Sequence, residues 1–184
     1  MFYRTTNAII APNLTIDLQL DAERLGMLGG AFFYTFALFQ VPMGMLLDRI
    51  GPRVVMTLFC LTGGLGALVF AIATTFFTAF MGRALMGIGM ACALMGAMKV
   101  FVLRFPQEKF STLSGIYISI GTTGTMLATS PLAYLNATIG WRLTLMLAGG
   151  ITIILSFLIF WILGDHVADK NKEAVTPPPP RAEP

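Results

Sequence analysis

Five long apolar runs decide what this 184-residue chain can fold into: Leu25 to Leu47, Val54 to Thr74, Phe77 to Val102, Leu113 to Leu135 and Leu143 to Leu163. Each has about the roughly 20 residues that carry an α-helix across the hydrocarbon core of a bilayer. A lipid-exposed segment must satisfy its backbone polar groups internally, which for runs of this kind means helices. The composition agrees: 56% of the residues are hydrophobic and only 11% charged, too few charges to coat a soluble globule. The expected fold class is an all-α membrane protein.

A shorter sixth run, Phe2 to Leu14, begins at Met1 with no polar flank before it. It reads as half a helix, with the chain beginning inside its first span. Polar Thr5, Thr6 and Asn7 after Arg4 argue against a signal peptide. Helices are therefore expected at about 2–14 (partial), 25–47, 54–74, 77–102, 113–135 and 143–163. Beyond these, residues 164–184 turn to charge and then proline, which reads as a polar, solvated tail with a stiff end. His166 stands alone there and reads as a solvated histidine rather than a ligand.

The same residues exclude much chemistry. Cys60 and Cys92 fall inside apolar runs without metal-ligand spacing, and no glycine loop is followed by a lysine. Neither a catalytic triad, a metal site nor a cofactor is implied, so an enzyme is not expected. The formal charge of +3 does not require nucleic acid, because membrane proteins collect basic residues on their cytoplasmic loops. If the first helix runs outward, the inside holds Arg49, Arg53, Lys99, Arg104, Lys109, Lys170, Lys172 and Arg181, against Arg24 and Arg142 outside. That asymmetry predicts a multi-pass protein of the plasma (inner) membrane with a cytoplasmic tail.

An internal repeat appears at an offset of 89 positions, where PMGMLLDRIGPRV from Pro42 lies over PLAYLNATIGWRL from Pro131. Pro42, Ile50, Gly51 and Arg53 meet Pro131, Ile139, Gly140 and Arg142. Both copies follow the second helix of a triplet, and three helices reverse the chain, so the copies face opposite sides as in inverted-repeat transporters. Only the first copy has the charged pair Asp48 and Arg49.

This hairpin resembles the signature G-x-x-x-D-R/K-x-G-R/K-R/K of the major facilitator superfamily, here Gly44, Asp48, Arg49, Gly51 and Arg53, with Pro52 replacing one basic residue. The family's helix-four pattern, an arginine followed by spaced glycines, is matched by Arg83, Gly87 and Gly89. The resemblance implies the N-terminal six-helix half of such a transporter: two inverted three-helix repeats, the first helix truncated and the C-terminal half missing. It makes Asp48 a conformational latch against a helix of that missing half, while the plain alternative is a helix end and a solvated turn.

The stretch MFYRTTNAIIAPNL resembles the first helix of organophosphate:phosphate antiporters and related organic-anion carriers, where a proline ends the helix. That makes Arg4 an anion-binding residue, since its planar fork suits phosphate or carboxylate. By position Arg4 lies roughly 15 Å from the end of its run, near the middle of a roughly 30 Å core, and another cavity role or a plain flank stays open. Arg83 faces the cavity or snorkels outward, and Lys99 is expected to snorkel. Tyr34, Gln40, Tyr117, Ser119, Thr122 and Thr123 offer hydrogen bonds to a solute or to neighbouring helices. No acid falls at membrane depth, so an anionic solute is expected in a cationic lining, with exchange or coupling supplied elsewhere. Trp141 and Trp161 read as interfacial anchors, and Asn13 and Asn136 as ordinary helix-end residues. The expected function is a transporter fragment moving a small anionic solute through the lipid bilayer. The alternative is a half-length membrane scaffold or regulatory protein.

Overall fold

The structure, a computed structural model, describes residues 2–127 and 129–173, and side chains within them except those of Phe2, Asn7, Leu127, Ser130 and residues 165–173. Among the described residues seven helices follow one another: α1 (Phe2–Asp17), α2 (Ala22–Arg49), α3 (Pro52–Ala71), α4 (Phe76–Arg104), α5 (Gln107–Leu127), α6 (Ser130–Ile139) and α7 (Trp141–Glu173). Four of them, α2, α3, α4 and α7 through Gly164, are long and apolar enough to cross a membrane. The helix expected at 113–135 is two helices. Pro131 stands in the first turn of α6 and lacks an N–H, and the Thr129 hydroxyl donates to Met126 O at 2.6 Å, an alternative to the helical ladder. Pro42, at the matching position of the repeat, lies inside an unbroken α2. Pro12 likewise does not end α1. Nor does helix stop at 163: α7 continues to Glu173, so only residues 174–184 of the expected tail, which lie outside the described residues, are left beyond it.

The packing is built around α3, α4 and α7, and small residues set the distances, as is usual where lipid offers no hydrophobic drive between helices. A side chain on Gly89 would strike the backbone of Gly63 and Phe59 in α3, and one on Gly87 would strike Thr35 Oγ1 and Phe32 O in α2. The helix-four glycines are therefore the contact points that let α4 lie between α2 and α3. On the far side of α3, the backbones of Gly64 and Gly149 approach each other closely, and Ser156 Oγ donates to Thr57 O at 2.7 Å. The core runs through Ile10, Leu14, Leu28, Phe32, Phe70, Met86, Trp141 and Leu145. Outward, α7 exposes Ile154, Phe157 and Trp161 by 67%, 62% and 74%, an apolar surface suited to lipid. Trp141 is no such anchor: it is buried against the Phe70 ring, and its Nε1 donates to Asp17 at 2.8 Å.

Candidate functional site

α1 turns two different faces to its surroundings. Tyr3, Thr6, Ile10 and Leu14 are buried, while Arg4, Ala8 and Ala11, one turn apart, line a cavity of about 290 Å³ with Leu25, Gly29, Phe32 and Phe33 of α2 and Arg83 of α4. Arg4 is exposed, its guanidinium 5.4 Å from the centre of the Phe33 ring. Arg83, seven residues into α4, is 1% exposed, so it neither reaches the headgroups nor stands free in the cavity. Its Nη1 donates to Tyr3 O at 3.2 Å, and its guanidinium lies 4.9 Å from the centre of the Phe70 ring. Two arginines thus meet at one cavity from different helices, and among the described residues no acid lines it. A pocket of this charge attracts anions.

The other proposed solute contacts fall elsewhere. Tyr34 is 79% exposed on α2, next to Phe33 but not lining the cavity. Tyr117 Oη donates to Ala93 O at 2.8 Å and its ring packs against Phe101, so it fastens α5 to α4. Thr122 and Thr123 donate to carbonyls of their own helix, Ile118 O and Ser119 O.

At one end of the bundle lies the charged hairpin. Asp48 Oδ1 accepts from Lys99 Nζ at 2.7 Å, so Lys99 reaches across to α2 at the charged end of the bundle. The pair borders an open groove of about 440 Å³ with Gly44, Leu47, Leu94, Met95, Met98 and Val102, and a side chain on Gly44 would meet open space. Arg49 is exposed. Gly51 adopts φ +92°, a backbone that disfavours L side chains, and delivers Pro52 to the first turn of α3. Arg53 turns inward to α7: Nε donates to Phe160 O at 3.0 Å and the guanidinium covers the Phe160 ring at 3.9 Å. The motif residues therefore divide, with Gly44 and Asp48 facing an open groove and Arg53 fastening α3 to α7.

Sequence reasoning missed one polar pair. Asn136 Nδ2 donates to Asn13 Oδ1 at 3.1 Å, joining α1 to α6. Its only signal was two asparagines at the ends of neighbouring apolar runs.

An all-helical bundle with several membrane-length helices and a cationic cavity is the architecture of a multi-pass membrane transporter. The model of the Major Facilitator Superfamily matches residues 1–183, and the chain belongs to that family. It is 26% identical over 177 residues to a probable galactarate/D-glucarate transporter of Escherichia coli, covering 91% of this chain and 38% of that one. A D-galactonate transporter, also of Escherichia coli, is 26% identical over 157 residues, 85% of this chain and 36% of its own. A nitrate/nitrite transporter of a Picosynechococcus species is 32% identical over 114 residues, 62% of this chain and 21% of its own. The chain thus spans well under half the length of these relatives.

Proposed function

We propose that this chain forms one lobe of a secondary transporter that moves a small organic anion by alternating access, with Arg4 holding the anion's carboxylate. The observation that carries the reading is the convergence of Arg4 and Arg83 on one acid-free cavity. The relatives' names support the solute class, since galactarate, glucarate and galactonate are all hydroxylated carboxylates. An organophosphate is the competing solute, because a guanidinium fork accepts phosphate equally well.

The roles then divide by exposure. Arg4, the exposed cation, meets the solute, and buried Arg83 braces α1 beneath it. Facing helices supplied by the rest of a longer protein would close the cavity, in keeping with the greater length of the relatives. The acids with described side chains, Asp17, Asp21, Glu23, Asp48 and Glu108, stand at or beside helix ends, which favours anion exchange, or coupling by groups in the second lobe. The Asp48 end would face the cytoplasm of an inner-membrane protein, since Arg49, Arg53, Lys99 and Arg104 gather there, with the tail on the same side. Asp48 would leave Lys99 for the N-terminal end of a facing helix when that side closes.

The test is uptake into proteoliposomes by the full-length transporter carrying this chain, with galactarate as solute and a phosphomonoester as competitor. Arg4→Ala should lower galactarate uptake by about 10- to 100-fold, the worth of a charged hydrogen bond, while leaving the amount of inserted protein unchanged. Arg4→Lys, which keeps charge but loses the fork, should fall between. Undiminished uptake by Arg4→Ala removes Arg4 from the site, and competition by the phosphomonoester alone moves the solute class to phosphates. Saturable flux from the 184-residue chain by itself would overturn the two-lobe reading.

A further inference from the structure

We propose that Tyr3 and Thr152 form a positioning joint that sets where the Arg4 guanidinium stands; this rests on the reading of Arg4 as the anion-holding group. Tyr3 precedes Arg4 on α1, so its side chain points about 100° around the helix, inward where Arg4 points to the cavity. Tyr3 is 4% exposed, and its Oη lies 2.7 Å from Thr152 Oγ1 on α7. The Thr152 hydroxyl donates its one proton to Ala148 O at 2.8 Å, which leaves Tyr3 as the donor to Thr152. The hydrogen-bonded chain therefore has a fixed direction, from α1 into the backbone of α7.

Arg83 supplies a second hold on the same residue, from α4 to the Tyr3 carbonyl. One residue is thus gripped at its backbone by α4 and at its side chain by α7. The two grips act at different distances from the helix axis, so together they resist both sliding and turning. Turning matters most for Arg4. A rotation of α1 by roughly 20° moves a side-chain end by about 2 Å at the roughly 5–6 Å outer radius of a helix. Displacements of that size spoil a bidentate fork. Neither Tyr3 nor Thr152 lines the cavity, so their effect on a solute passes through Arg4.

The experiment uses the full-length transporter and two readouts. In galactarate uptake, Tyr3→Phe and Thr152→Val should each raise KM about 3- to 10-fold, the worth of one neutral hydrogen bond, with the maximal rate held within about twofold. Thr152→Ser, which keeps the hydroxyl, should restore the wild-type KM, and the double variant should be no worse than either single one. The second readout needs no solute. With Cys60, Cys92 and any cysteine in the rest of the full-length protein replaced by alanine, Arg4→Cys is labelled by a charged thiol reagent, and adding Tyr3→Phe or Thr152→Val should change the labelling rate severalfold while Thr152→Ser does not. An unchanged rate in both variants overturns the joint. If Arg4→Ala leaves uptake intact, the anion reading falls on its own and labelling alone decides the joint. Should Thr152→Val fail to insert, Tyr3→Phe and Thr152→Ser carry the same comparison.

Discussion

At the Asp48 end Gly51 turns α2 into α3 with φ +92° and ψ 153°, and at the Trp141 end Gly140 turns α6 into α7 with φ +80° and ψ 158°. Two residues later each copy places an arginine, and each arginine reaches a carbonyl of the other helix: Arg53 to Phe160 O, Arg142 to Ala71 O at 3.1 Å. Donors and acceptors are both related by the 89-position offset. The correspondence extends further, since Arg142 also donates to Ala73 O at 2.8 Å, and the matching Ile162 O accepts from Arg104 at 3.1 Å. Helices α3 and α7 therefore run antiparallel and are clasped reciprocally at both ends.

What differs is the state of the carbonyls and the closing pair. Ala71 and Ala73 lie where α3 ends, so their carbonyls lack a continuing helical ladder and Arg142 meets the negative end of the helix. Phe160 and Ile162 lie inside α7, which continues to Glu173, so Arg53 and Arg104 share carbonyls with the helix itself. The Trp141 end is then tied to α1 by Trp141 on Asp17 and by the Asn13–Asn136 amide pair. Arg142 Nε adds a longer ion pair to Asp17 at 4.0 Å, whereas the Asp48 end relies on the exposed 2.7 Å Asp48–Lys99 ion pair beside an open groove. A pair of fixed short amides suits a permanent joint, and an exposed ion pair suits one that is remade.

The largest test of that contrast is the two arginines. Arg142→Ala should cost roughly 2–4 kcal/mol in unfolding measured in detergent, since it strips two end carbonyls, whereas Arg53→Ala should cost about half as much because Arg104 still holds Ile162 O. Equal losses would mean that the helix end is irrelevant. Next, Gly51→Ala and Gly140→Ala should each cost about 1–3 kcal/mol by the same measurement, because both backbones lie where only glycine is comfortable. A large difference between them would break the equivalence of the two turns. The smallest effect belongs to the closing pairs. Lys99→Met should cost under about 1 kcal/mol and lose even that in high salt, as expected for an exposed ion pair. Asn136→Leu should cost about 1 kcal/mol regardless of salt. A salt-dependent loss at Asn136 would erase the distinction.

Much of the bundle was legible in particular residues. The apolar runs predict helices because lipid permits little else, and Gly51 and Gly140 mark the turns because few other residues accept their backbone. The break at Thr129 was not legible, since Pro42, at the matching position of the repeat, sits inside a continuous helix. Arg4 and Arg83 could be flagged as costly intramembrane charges, but not their different fates at one cavity, Arg4 exposed and Arg83 buried. Lys99, Asn13 and Trp141 were visible as residues near helix ends but not their partners, and Thr152 gave no signal, because a lysine at a helix end or a threonine in an apolar run has many uses.

By itself the chain determined its solvent, its helices, the sign of charge at membrane depth and the repeat relating its two hairpins, all properties of composition and local order along the sequence. Only the tertiary structure decided which carbonyl each arginine meets, which acid Lys99 takes, and that Tyr3 bridges two helices beside Arg4. Those pairings join residues as many as 149 positions apart, and the angle at which helices cross, set by where glycines let backbones touch, has no expression in any single stretch of sequence.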